Sequence, residues 1–325
     1  MIGRDHASLM TGVSFIVTVF DKAAFLPRVL DALERQSGDF RREFLFVDDG
    51  SSDGSAEIIA RLTRAWRDPV IILRQPNRGA SAATNAGAER ASLPWLKLVD
   101  GDDLLVPGAT RQLLAAAAAT GEMLAWGDLG RYAVDDPDPL ARELAPPPFA
   151  AETDGLARFI RNCAANSSSI LVTAERYRAA GGCDERLISP DQALFLRLFA
   201  TGGGVHLEGP VALIPDKAPG RLSSQERRSR YESVLALYHL VTETPGLSPA
   251  HARLAYRRAL SRAYRFQRRH GGHWLWTGHL LRLWRSRIAD TVDLAAMYQA
   301  LGAFTEDGST ERPATWLPGA LAGRV

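Results

Sequence analysis

One rhythm constrains this chain more than anything else in it. Between residues 13 and 121, short apolar runs alternate four times with stretches of helical length and pattern. "VSFIVTVF" (13–20), "EFLFVDD" (43–49), "VIILRQ" (70–75) and "WLKLVD" (95–100) read as buried strands. "AAFLPRVLDALERQ" (23–36), "GSAEIIARLTRAW" (54–66), the small-residue "ASAATNAGAERA" (80–91) and "GATRQLLAAAAATG" (108–121) read as the helices behind them. Strands and helices at this spacing predict right-handed βαβ units. The expected fold class is α/β, a doubly wound and mostly parallel sheet with helices on both faces.

After Gly121 the rhythm breaks. Residues 122–150 contain "DDPDP" and "APPPF", which read as loop. A shorter α+β segment follows to about 220, with "SSSILVTAERYRAAGG" and "VHLEGPVALIP". From Gln225 the pattern is helical and basic to about 300. The expected organisation is a main domain over 1–225, with halves at about 13–121 and 122–225, and a helical basic extension over 226–325. A formal net charge of +2 conceals the asymmetry between them. From Arg221 to Arg287 there are 14 arginines and no lysine against Glu226, Glu232 and Glu243, so the remainder is net acidic.

No run approaches the roughly 20 apolar residues of a spanning helix. "ASLMTGVSFIVTVF" follows Arg4 like a secretory leader, but no A-x-A-like site closes it, and a buried first strand is expected. Cys163 and Cys183 are the two cysteines. They make no disulfide framework and no cysteine-built zinc site, and they fit a reducing cytosol.

The chemistry concentrates where strands end. Two of the four predicted strand ends are acidic, Asp48-Asp49 and Asp100-Gly101-Asp102-Asp103. Ligands of open α/β sheets bind outside the carboxyl ends of the strands. Gly50 and Gly101 let the backbone turn tightly there. Crowded carboxylates repel unless a cation sits between them, and aspartate oxygens suit Mg²⁺ or Mn²⁺ shared with a substrate phosphate. The absence of GxxxxGK[ST] and GxGxxG excludes the usual phosphate cradles. Each acidic turn alone is also a solvated, helix-capping turn. The two together, on successive crossovers of one sheet, point to the cation.

"VSFIVTVFDKAAFLPRVLDALERQ", "EFLFVDDGSSDGS", "NRGASAATNAG", "WLKLVDGDDLLVPG" and "NSSSILVTAERYRAAGGCDERLISPDQALFLRL" resemble, in order and spacing, the motifs of glycosyltransferase family 2. The resemblance covers about 13–225. It implies the GT-A fold and an inverting, metal-dependent transfer from a nucleotide sugar. Carried over by position, it implies that Thr18 and Phe20 border the nucleotide base and that Asp49 accepts a hydrogen bond from it. Asp100 and Asp102 match the DxD motif, with Asp102 or Asp103 contacting ribose or ligating Mn²⁺ or Mg²⁺. Asp191 matches the general base, although Pro190 stands where the family commonly has Glu. Asp191 also reads as a helix N-cap. Thr84 stands where the family often has an arginine, and Arg78 is the expected substitute at the diphosphate. Lys217 and Arg221 match a diphosphate lid from which the usual histidine is missing.

These roles together imply a glycosyltransferase that uses a nucleotide-sugar donor, with a UDP-sugar favoured. The acceptor is a glycan or a lipid-linked hydroxyl, in surface polysaccharide synthesis, and the location is the cytoplasm or the inner face of the membrane. The departures at Thr84 and Pro190 leave open a catalytically weak nucleotide-sugar sensor or scaffold.

In "AHARLAYRRALSRAYRFQRRH", Arg258, Arg262, Arg265 and Arg269 fall on one side of a helix, with Tyr256, Leu260, Ala263 and Tyr264 in another stripe. Together with "HWLWTGHLLRLWRSR", the 250–288 region reads in two ways. It lies on an anionic membrane surface as a peripheral contact, or it packs on the main domain with its arginines in water. No nucleic-acid reader motif accompanies the charge, so a nucleic-acid partner is not expected. His206, His239, His270, His273 and His279 show no zinc-site spacing.

Overall fold

The computed structural model describes residues 12–140, 147–216, 225–270, 278–288, 291–305, 308–313 and 316. The first strands are β1 (Gly12–Val19), β2 (Arg41–Asp48), β3 (Val70–Arg74) and β4 (Trp95–Asp100). Next come β5 (Leu104–Leu105), β6 (Leu124–Tyr132), β7 (Phe149–Glu152), β8 (Ile170–Thr173) and β9 (Gly204–Pro215). They form one nine-stranded sheet in the order β3-β2-β1-β4-β8-β6-β9-β5, with β7 also on β9. β1 to β4 pair in parallel, β6 and β9 share their direction, and β5, β7 and β8 run against it.

Period-two alternation divides the strands between two cores. Val13, Phe15 and Val17 of β1, with Phe44 and Phe46 of β2, face one core. It is covered by α1 (Leu26–Glu34), α2 (Ser55–Leu62) and α4 (Ala109–Thr120). Ile16, Leu45, Leu96 and Leu98 face the other. There α3 (Ala80–Arg90) lies so close that a Cβ on Gly87 would stand 2.4 Å from Ile16 Cγ2. Both faces are covered, so the strands read as continuous apolar runs.

Residues 122–150 depart from the loop expectation. Leu124–Tyr132 is β6, a central strand between β8 and β9. Gly127, Asp128 and Gly130 obscure its alternation, and packing explains the glycines. A Cβ at Gly127 would lie 2.3 Å from Val211 Cγ1, and one at Gly130 would lie 2.4 Å from Leu213 Cδ2. The β6–β9 ladder shifts register on both sides of Asp128, the irregularity that glycine within a strand often marks.

The remaining helices are α5 (Gly155–Arg161), α6 (Ala174–Ala179), α7 (Asp191–Ala200), α8 (Glu226–Glu243), α9 (Pro249–His270), α10 (Gly278–Ile288) and α11 (Leu294–Gln299). They extend the second core. Val234 and Leu237 of α8, Leu260 and Ala263 of α9, and Met297 of α11 join Leu98 and Ile170 in it. Tyr256, Leu260 and Ala263 point inward as their stripe predicts, and Arg265 and Arg269 are exposed. Arg262 is the correction to arginines lying in water, because it is buried where α9 crosses α8 and donates to Ser233 O at 3.1 Å. On α10, Leu281, Trp284 and Ile288 are 50%, 59% and 66% exposed. No described helix is long and apolar enough to cross a membrane.

One ionic network fastens the loop before α7 to α8. Asp184, 4% exposed, accepts from Arg186 Nη2 at 2.7 Å, lies 2.8 Å from His239 Nδ1 and pairs with Arg197 at 3.2 Å. Arg186 also grips Glu243 at 2.7 Å. Burial alone would raise the Asp184 carboxyl, but hydrogen bonds from His239 and Arg186 and the Arg197 charge hold it well below the usual range. A carboxyl lowered on folding contributes stability above its ordinary pKa of 3.8 and loses it as pH falls further. Asp184→Asn is therefore expected to cost about 3 kcal/mol near neutral pH. Urea unfolding should show the gap to wild type closing below pH 3.8.

Candidate active site

The strand order reverses at β1, so the carboxyl ends of β2, β1 and β4 lie side by side. Two backbone bonds bind their acidic turns to the end of β1. Asp49 N donates to Val19 O at 2.8 Å, and Gly101 N donates to Thr18 O at 2.9 Å. Gly101 must lack a side chain, because a Cβ would stand 2.8 Å from the Thr18 carbonyl oxygen. Gly50 holds φ at 84°, a left-handed angle that glycine adopts freely.

On the β2 side, Asp49 is 3% exposed. Its carboxylate accepts from Gln75 Nε2 (2.8 Å), Arg78 N (2.9 Å) and Gly79 N (2.8 Å), and so holds the loop that leads into α3. Burial raises its carboxyl, and those donors oppose the rise. Thr18 is half-buried at the end of β1, and the Phe20 ring just beyond it is 44% exposed. The Arg78 guanidinium pairs with Glu185 at 2.8 Å. Lys217 and Arg221 lie outside the described residues.

On the β4 side, four carboxylates converge, and a short polar segment before β8 organises them. Asn166 Nδ2 donates to Asp103 Oδ2 at 2.7 Å. Ser167 donates to Asp191 Oδ1 from both N (3.0 Å) and Oγ (3.1 Å). Ser168 Oγ accepts from Asp100 N at 2.9 Å. Three successive residues thus tie the acidic turn to the start of α7. Pro190, not Asp191, is the N-cap of α7, and no side chain caps it, so the Asp191 carboxylate is turned across to Ser167.

Two lysines oppose the negative charge. Lys22 Nζ meets Asp102 Oδ2 at 2.7 Å. Lys97, fully buried beneath the turn, donates to Ser168 O (2.5 Å) and Leu98 O (3.0 Å). Burial pushes the Lys97 ammonium down to about 7, while Asp103 and Asp100 pull it up. They do not balance the acids. Desolvation first, then the charges of Asp103, Asp191 and Asp102, push the Asp100 carboxyl well above its ordinary range, with Lys22 opposing. Such a cluster of hard oxygen donors fits a divalent cation, and the Lys22 ammonium is a monovalent stand-in on Asp102. A second grouping, Asp184, His239 and Glu243, also brings ligand atoms within 4.8 Å of one another. Arg186 and Arg197 already neutralise it, so a cation would gain little there.

Asn166 and the site's serines show in the sequence only as "NSSS", an unusually polar run entering a buried strand, and nothing in the sequence sets Lys22 or Lys97 apart. Past that run, toward α5, a cleft of about 480 Å³ opens between Asp128, Glu152, Arg158, Arg161, Asn162 and the edge of Trp126. Cys163 stands beside it. Burial first and the Asp191 charge next push its thiol up to about 12, so it is no nucleophile at neutral pH.

Residues 14–167 match the family model described as Glycosyl transferase family 2. Residues 14–167 belong to glycosyltransferase family 2. The family 2 segment holds both acidic turns and Asn166 and Ser167, while Asp191 lies beyond it. Succinoglycan biosynthesis protein ExoO of Rhizobium meliloti is 30% identical over 125 residues, covering 38% of this chain and 34% of the relative. Glycosyltransferase AglE of Haloferax volcanii is 33% identical over 96 residues, covering 29% of this chain and 32% of the relative. The chain spans less than half the length of the curated relatives it matches.

Among solved structures, S. aureus TarS 1-349 in complex with UDP-GlcNAc superposes with a TM-score of 0.63 at 17% identity, covering 91% of this chain and 84% of that one. The mannosyltransferase PcManGT from Pyrobaculum calidifontis, in complex with GDP-Man and Mn²⁺, gives 0.52 at 15%, covering 90% and 85%. At such identities the likeness is one of fold, and the fold is GT-A.

Gly101→Ala forces a Cβ against the Thr18 carbonyl and lifts the acidic turn from β1. The expected loss is about 1–3 kcal/mol of stability, read by urea unfolding. An unchanged midpoint would show that the turn is not held as described.

Proposed function

We propose that the protein is a metal-dependent, inverting glycosyltransferase. It moves a sugar from a nucleotide diphosphate sugar, a UDP-sugar favoured, to a hydroxyl of a glycan or lipid-linked acceptor in surface polysaccharide synthesis. The observation that carries this reading is the meeting of Asp100, Asp102, Asp103 and Asp191 through Asn166, Ser167 and Ser168. The donors bound in TarS (UDP-GlcNAc) and in PcManGT (GDP-Man, with Mn²⁺) support a nucleotide sugar and a divalent ion here.

In this reading Phe20 offers an exposed ring to the nucleotide base and Thr18 borders it. Asp49 accepts from the base and stiffens the neighbouring loop. Asp102 and Asp103, beside Asp100, hold Mn²⁺ or Mg²⁺, which when bound supplies positive charge to the leaving diphosphate. Arg78, by exchanging Glu185 for phosphate, and Lys217 and Arg221 as a lid, add to that charge. Asp191 takes the proton from the attacking acceptor hydroxyl. Ser167 holds the Asp191 carboxylate in place through Oδ1. One base and one in-line attack invert the anomeric centre. The apolar row Leu281, Trp284 and Ile288, set among Arg282, Arg285 and Arg287, supports a peripheral contact with an anionic, inner-face membrane.

Asp191→Asn should lower transfer about 10²–10⁴-fold, while UDP affinity measured by calorimetry stays near wild type. Unchanged turnover would remove Asp191 from the base role. Lys22→Ala removes the ammonium that competes for Asp102. Manganese should then raise the melting temperature more in this variant than in wild type. An equal rise would separate the ion from Asp102.

A further inference from the structure

Near Asp191 lies a group of arginines with few ion-pair partners among the described residues. Arg262, 7% exposed, donates through Nη1 to Gln192 Oε1 at 3.0 Å and to Ser233 O at 3.1 Å. Gln192 is the residue after Asp191. The Asp191 and Arg262 charges both bear on the Cys163 thiol, in opposite directions. Arg258 stands one turn earlier on α9, and Arg230 of α8 is near enough to repel both. Arg265 repels Arg258 in turn. Among the described residues Arg230 has Glu226 at 3.8 Å, and Arg258, Arg262 and Arg265 have no ion-pair partner.

The unpaired atoms have one character. Arg258 Nε, Arg262 Nε and Gln192 Nε2 are buried donors without an acceptor among the described residues. Sugar hydroxyls both donate and accept, and a cation would be repelled. Donors alone, on clustered guanidinium groups, ask for an oxygen-rich anion. Burial first, then Arg258 and Arg230, push Arg262 down to about 9, which leaves it charged at neutral pH. Half-buried Arg258 and exposed Arg265 open the cluster to solvent. The bonds that Arg262 makes go to Gln192 and Ser233, neither of which belongs to the acidic turn.

We infer that Arg258, Arg262 and Arg265, with Arg230, form a phosphate-binding subsite that holds a phosphate ester of the acceptor while its hydroxyl reaches Asp191. The acceptor role rests on the transferase reading above, and the phosphate site does not. The phosphate belongs either to a soluble phosphorylated glycan or to a lipid headgroup.

The test is calorimetry of inorganic phosphate with the full chain at low salt, without divalent metal. Wild type should bind, and Arg258→Gln and Arg265→Gln, at positions open to solvent, should each weaken binding about tenfold or more. Arg258→Lys, which keeps the charge, should recover part of it. Saturating UDP with Mg²⁺ should leave phosphate bound. No binding, equal binding by the glutamine variants, or displacement by UDP overturns the subsite. Failure of UDP to bind while phosphate still depends on Arg258 would sink the transferase reading and leave the subsite standing. Co-sedimentation with phosphatidylcholine vesicles, plain or doped with phosphatidic acid, separates the sources. Retention on doped vesicles that needs Arg258 supports the subsite with a lipid phosphate. Phosphate binding without such retention supports it with a soluble ester.

Discussion

Everything at the carboxyl edge of this sheet follows from carboxylates brought closer than water would leave them. Asp100 is pushed well above its ordinary range by desolvation and by Asp103, Asp191 and Asp102. A fold tolerates that only where positive charge can be supplied. Lys22 and Lys97 supply part of it from the chain itself. The remainder is negative charge that the described lysines leave uncompensated, and it is on this excess that the proposed cation rests. The backbone bonds at Val19 and Thr18 and the glycine at 101 keep the acids from drifting apart.

Much of the sheet was legible because its signals are local. Each predicted strand among the first four lies within a few residues of its observed span, since an apolar run between two covered faces has one stable use. β6 was not legible. Its glycines are demanded by Val211 and Leu213, which come some eighty positions later, and no window along the chain displays that demand. The acidic turns announced the site, yet the bonds that unite it come from Asn166, Ser167 and Ser168. A polar run entering a strand says that something is satisfied there but not which partner satisfies it.

The basic tail teaches a similar lesson. Helical spacing correctly set Tyr256, Leu260 and Ala263 on one buried side. It also set Arg262 with the solvent-facing arginines, because periodicity along one helix is blind to a second helix laid across it. Burial beside α8 changes that residue from a solubilising charge into a fixed donor.

The second core runs without interruption from Ile16 and Leu98 through α7 to Leu260 and Met297. A chain cut near residue 225 would therefore present a broad greasy wall to water rather than a finished surface. Chimeras that graft the tail of another enzyme onto the β1–β4 half would need to carry α7 across with it, since that helix is the shared masonry between the two.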